Sequence, residues 1–92
     1  MIKSFRDRST ERGFKREHSK KWHNIARIAQ RKLDMVNDAS IFTDLAAFPN
    51  NHLEALKEDR IDQHGIRINK QWRVCFVWQD GDAYNVEVTD YH

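Results

Sequence analysis

The sequence predicts an α+β fold in which helices pack on an antiparallel β-sheet. Three observations carry this expectation. Apolar residues recur at helical spacing between Trp22 and Val36, the period changes to 2 beyond residue 53, and Asp80-Gly81 separates two alternating runs as a tight hairpin would. Helices first and a meander of strands afterwards is the order of an α+β arrangement. The chain has 92 residues, 39% of them hydrophobic and 33% charged, with three glycines and one proline. That is enough apolar material for one small core, so residues 1–92 are expected to form a single domain without repeats or low-complexity tracts.

Ile2-Lys3-Ser4-Phe5 alternates apolar and polar, the pattern of a short half-buried strand. Asp7 or Ser9 can cap a helix running through Arg16, with Gly13 weakening it by ~1 kcal/mol relative to alanine. Trp22, Ile25, Ala26, Ala29, Leu33 and Val36 then fall on one stripe, which predicts a helix over Lys21–Ala39. Asn37-Asp38-Ala39-Ser40 ends it, and Thr43-Asp44-Leu45 suits one further helical turn. Pro49-Asn50-Asn51 is a turn cluster. Strands are expected over Leu53–Lys57, Gly65–Asn69, Arg73–Trp78 and Ala83–Val88. In the third of these, Val74, Phe76 and Trp78 share one face, while Arg73, Cys75 and Val77 share the other.

Composition excludes several classes of function. No stretch approaches the roughly 20 apolar residues of a membrane span, and the charged N-terminal segment lacks the apolar core of a signal peptide. A cytoplasmic protein with no membrane partner is the expectation, and the lone cysteine fits a reducing compartment. His18 and His23 are five apart rather than four, and there is no HExxH, so no metal site is expected. Gly-rich phosphate loops and G-x-S-x-G are also missing, and no cofactor is expected. The formal net charge of +2 conceals a separation, with +8 over residues 1–32, −5 over residues 33–65 and −1 over residues 66–92. A basic N-terminal third points to a polyanionic partner or, more plainly, to a solvated helix face.

The remaining chemistry lies in the strand half. Metal-free RNA cleavage needs a base for the 2′-hydroxyl, cations for the phosphorane-like transition state, and an acid for the leaving 5′-oxygen. Lys57, Arg67 and Arg73 supply cations, His92 titrates near neutral pH, and Asp90 can orient it. Tyr91 and Trp72 offer aromatic surfaces for a base. Cys75, inside a strand, reads as a packed thiol.

The blocks MIKSF, LEALKEDR, GIRINKQWRVCFVW and DAYNVEVTDYH together resemble the HigB branch of the RelE/ParE toxin superfamily. The resemblance covers the whole chain and is most specific in the I-R-x-N-x-x-W-R hairpin and the final D-Y-H. It implies a microbial RNase-like fold, ribosome-dependent mRNA endonuclease activity, and inhibition by a HigA-like helix-turn-helix antitoxin. It also implies that Asp90, Tyr91 and His92 form the C-terminal catalytic group, with Lys57 and Arg73 in the active-site cleft and Arg67 and Trp72 in the same hairpin. Glu54 stands where relatives carry histidine (LHPLK), and a glutamate can serve as general base in a metal-free RNase. An α-carboxylate beside His92 would favour its imidazolium and suit it as the acid, leaving Glu54 as base. Assignment of acid and base among Glu54, Lys57, Tyr91 and His92 stays open. The basic residues Lys15, Arg16, Lys20, Lys21, Arg27 and Arg31 would meet the phosphates of small-subunit rRNA and mRNA, or an acidic antitoxin surface. The alternatives are a non-catalytic gyrase poison of the ParE type, because one fold serves both activities, and a weakened toxin that only binds RNA or ribosome.

Overall fold

The computed structural model describes residues 1–17 and 24–90. In order, these form α1 (Arg8–Phe14), α2 (Ala26–Asp38), α3 (Thr43–Ala46), a 3₁₀ turn at Pro49–Asn51, β1 (Glu54–Ala55), a second 3₁₀ turn at Glu58–Arg60, β2 (His64–Arg67), β3 (Trp72–Gln79) and β4 (Asp82–Asp90). The four strands make one antiparallel sheet in the order β1-β2-β3-β4.

Of the helix expected over Lys21–Ala39, the structure describes α2 from Ala26 to Asp38. Residues 18–23 lie outside the described region, and Asn24 and Ile25 form a turn before Ala26. The stripe itself is present: Ile25, Ala29, Leu33 and Val36 are buried against Ile66, Val74, Phe76, Val86 and Val88 of the sheet. α1 is shorter than expected and ends at Phe14. Asp7, not Ser9, is its cap, accepting from the Thr10 amide at 3.0 Å. Lys15 and Arg16 follow the helix, and Arg16 takes a positive φ of 67°.

The N-terminal segment is not a full strand. Its residues bridge β4 in parallel at Ile2–Ala83 and Phe5–Val86, covering an edge that would otherwise be open. Thr10 continues this cover from α1, its buried hydroxyl oxygen accepting from the Val88 amide at 3.0 Å. Asp80 and Gly81, both at positive φ, close the two-residue turn between β3 and β4.

Two strands depart from simple alternation. The first run yields only Glu54–Ala55, because the chain turns at Glu58–Arg60 and lays Leu56 back over the sheet. Leu56 packs where a side chain on Gly65 would stand: a Cβ there would meet Leu56 Cδ2 at 3.3 Å. In β4 the register shifts between Cys75 and Val77 of β3, and Asn85 adopts a positive φ of 52°. This bulge reverses the parity of the strand. Ala83, Val86 and Val88 therefore all face the core, whereas strict alternation would have sent Tyr84 there.

Candidate functional site

One face of the sheet is covered by α2, and the other carries the polar residues. Register builds this second face from rows across the strands. Glu54 pairs with Gly65, Gly65 with Cys75, and Cys75 with Glu87. In the next row but one, Arg67 pairs with Arg73 and Arg73 with Thr89. Antiparallel pairing with a side-chain period of 2 thus brings together residues from four separate segments.

Arg73 and Glu54 meet directly, with Arg73 Nε 3.4 Å from Glu54 Oε1. The arginine side chain is 18% exposed and the glutamate 49%, so the pair is anchored below and open above. Asn69 fixes the two arginines. Its carbonyl oxygen accepts from Arg67 Nε and from Arg73 Nη1, each at 3.2 Å. Its side-chain oxygen accepts from the Gln71 and Trp72 amides at 2.8 Å, setting the β2–β3 turn.

The floor of this face is a second charged group. Arg60 Nη1 donates to Glu87 Oε1 and to Gln63 Oε1, each at 3.0 Å, and Arg6 Nε lies 3.7 Å from the same Glu87 oxygen. Burial opposes the charge on Arg60, but the hydrogen bond and charge of Glu87 overcome it and raise the arginine pKa. Cys75 is fully buried there, and burial pushes its thiol up to about 11, which keeps it protonated and unreactive near neutral pH.

The structure therefore brings Glu54, Arg67 and Arg73 together. Lys57 is exposed and immediately precedes the 3₁₀ turn Glu58–Arg60. Asp90 pairs in register with Trp72 and accepts from Gln71 Nε2 at 3.0 Å, so β4 ends beside the Asn69 turn. Tyr91 and His92 lie outside the described residues. Trp72 is half-buried and packs against the core, opposite in parity to Arg73, so it is not on the arginine face.

Of the basic N-terminal group, Lys20 and Lys21 are outside the described residues. Lys15 pairs with Glu11 at 3.6 Å and Arg16 with Asp34 at 2.6 Å, both on the surface. Arg27 and Arg31 are exposed on α2. Among the described residues, no three His, Cys, Asp or Glu side chains converge as a metal-ligand set. Nor is any described helix long and apolar enough to cross a membrane.

Asn69, Arg60 and Glu87 are the contributors that sequence reasoning missed. Asn69 had a signal, since Asn between two alternating runs favours a turn. Arg60 and Glu87 are 27 residues apart and had none.

Residues 3–92 match the family model for RelE-like toxins of the type II toxin–antitoxin system HigB. The chain is 32% identical over 87 residues to Toxin HigB-1 of Vibrio cholerae, covering 92% of each chain. It is 35% identical over 69 residues to an uncharacterized protein of Haemophilus influenzae, covering 75% of this chain and 68% of the other. Two solved structures share its fold at 14% identity. One is the YoeB-YefM complex from Staphylococcus aureus, with a TM-score of 0.61 over 100% of this chain and 98% of that one. The other is the YoeB/ParE toxin from Agrobacterium tumefaciens, at 0.57 over 99% and 100%. The helices on a four-stranded antiparallel sheet are thus a RelE-like fold, and the chain belongs to the HigB family of type II toxins.

Proposed function

We propose that this toxin is a metal-free endoribonuclease that cuts mRNA on the ribosome and thereby stops translation. The observation that carries the reading is the Glu54–Arg73 pair, open on one side and flanked in register by Arg67. A carboxylate next to two fixed guanidinium groups is what 2′-hydroxyl attack on a phosphodiester requires.

In this scheme Glu54 takes the 2′-hydroxyl proton as the 2′-oxygen bonds to phosphorus. Arg73 and Arg67 carry the charge that builds on the nonbridging oxygens, and Lys57 adds a further cation. The P–O5′ bond breaks as an acid protonates the departing oxygen, leaving a 2′,3′-cyclic phosphate and a free 5′-hydroxyl. His92 is the acid expected from the sequence, with Asp90 and Tyr91 beside it in the chain. When substrate is absent, Arg73 Nε lies 3.4 Å from Glu54 Oε1 and holds that side chain in position on the open face.

The partners that follow are the ribosome with its message and a HigA-like antitoxin. Membership of a type II toxin–antitoxin family supports an antitoxin partner, and a solved neighbour in fold is itself a complex, of YoeB with YefM. Mapping of 5′ ends in a translating extract tests the activity. Cuts in the message that appear with the toxin and disappear when ribosomes are removed are expected. An intact message in both settings, or equal cutting of naked RNA, contradicts the reading, and inhibited gyrase supercoiling with intact message would replace it with a gyrase poison.

A further inference from the structure

A concave surface lies apart from the Glu54–Arg73 pair. It is a cleft of about 540 Å³ between α2, the 3₁₀ turn Pro49–Asn51 and the end of β2, lined by Ile28, Arg31, Lys32, Phe48, His52 and Arg67 among others. Its charge is one-sided: three cations line it and, among the described residues, no carboxylate does. Arg67 belongs both to this cleft and, through its register with Arg73, to the polar face, so the two surfaces are continuous.

Lys32 is the informative residue. It is only 8% exposed, and its Nζ donates to the neutral Asn51 Oδ1 at 2.6 Å. No carboxylate pairs with it among the described residues, and burial together with neighbouring Arg31 lowers its pKa. A buried ammonium costs much free energy unless an anion compensates it. Asn51 is itself held, its Nδ2 donating to Leu45 O at 3.0 Å, so the lysine head is fixed in place. In the same cleft Phe48 is 49% exposed, a large aromatic surface left uncovered among these cations. Cations and an aromatic face together are the means by which proteins hold single-stranded RNA.

We propose that this cleft holds a nucleotide of the RNA substrate flanking the bond to be cut, with its phosphate among Arg31, Lys32 and Arg67 and its base against Phe48. The identity of the ligand rests on the endonuclease reading. The cleft gives the substrate a second anchor, which would align the scissile bond over Glu54 and Arg73.

Binding tests this without cleavage. The full ¹⁵N-labelled chain is titrated with a short all-2′-deoxy oligonucleotide, which lacks the attacking hydroxyl, and amide shifts are followed by NMR. Saturating shifts at Arg31, Phe48 and Asn69 are expected. Arg31→Ala and Phe48→Ala, both at exposed positions, should each weaken affinity roughly tenfold. Arg8→Ala, exposed at the start of α1 and outside the cleft, should change it less than about twofold. Removing one base should abolish the effect of Phe48→Ala at a single position of the oligonucleotide. Affinities unchanged by both cleft variants, or shifts confined to the Glu54–Arg73 face, would overturn the proposal. So would a tenfold loss for a polyglutamate peptide without loss for the oligonucleotide, which would make the cleft a site for an acidic protein. The two readings fail separately. Toxin that cuts message normally with both cleft substitutions overturns the subsite alone, and toxin that binds through the cleft yet never cuts overturns the endonuclease alone.

Discussion

Replacing Arg60 by methionine should destabilise the toxin, and replacing Arg60 and Glu87 together should cost less than the sum of the two single replacements. The two side chains are 17% and 15% exposed, and Nη1 lies 3.0 Å from Oε1. Removing one partner of a well-buried pair costs about 3–5 kcal/mol, mostly because a charge is stranded. Here Glu87 keeps Arg6 at 3.7 Å, and that arginine is more than half exposed, so part of the charge remains compensated. About 2 kcal/mol is the resulting expectation for Arg60→Met. In a domain of this size that lowers Tm by roughly 8–16 °C. The double variant Arg60→Met/Glu87→Met strands no charge and should recover about 1–2 kcal/mol relative to additivity. Urea denaturation of the wild type, both single variants and the double variant gives the coupling energy directly. Single variants within 0.5 kcal/mol of wild type, or a double variant equal to their sum within about 0.5 kcal/mol, would refute the view that this pair holds the floor of the polar face.

Other expectations follow from the same structure. The Cys75 thiol is raised from its ordinary 9.0 to about 11, so between those values the native state keeps a proton that the unfolded chain releases. Stability contributed by this group should therefore fall as pH rises, by about 2–3 kcal/mol in total, and the difference between wild type and Cys75→Ala in alkaline denaturation reads it. Lys32 acts with the opposite sign, because its lowered pKa makes the unfolded chain the better proton binder, and that contribution cancels in the same comparison. Thr10→Val leaves the Val88 amide without its acceptor and should cost about 1–3 kcal/mol, with faster hydrogen exchange at Val88. Phe76→Ala empties the centre of the core and should cost about 3–5 kcal/mol in denaturant unfolding.

What could be read from the sequence was what depends on local period. The α2 stripe, the Asp80-Gly81 turn and the alternation of β3 each follow from spacing within a few residues, and each is present. The same locality explains the misses. Tyr84, Val86 and Val88 alternate perfectly as letters, yet the bulge at Asn85 turns Tyr84 away from the core, because pairing with β3 outweighs the pattern. Leu53–Lys57 reads as a strand, but its partner β2 offers pairing only opposite Glu54 and Ala55. Within the candidate site, Arg67 and Arg73 were legible as neighbours in a hairpin, and Glu54 through a family resemblance. Their common anchor at the Asn69 carbonyl was not legible, because a backbone acceptor has no letter of its own. Trp72 shows the limit of adjacency: it is next to Arg73 in the chain and on the opposite face of the sheet.

The Glu54–Arg73 pair is proposed to perform the chemistry. The direct measurement is the single-turnover rate of message cleavage on programmed ribosomes for wild type, Glu54→Gln and Arg73→Ala, with product ends identified. Glu54→Gln keeps the size and the open side of the pair but removes the proton acceptor. It should slow cleavage about 10²–10⁴-fold, and Arg73→Ala should slow it about 10²–10³-fold, with both proteins folded as wild type. Wild-type products should carry 2′,3′-cyclic phosphate or 3′-phosphate ends. Cleavage at the wild-type rate by both variants, or products ending in a 3′-hydroxyl and a 5′-phosphate, would contradict the account.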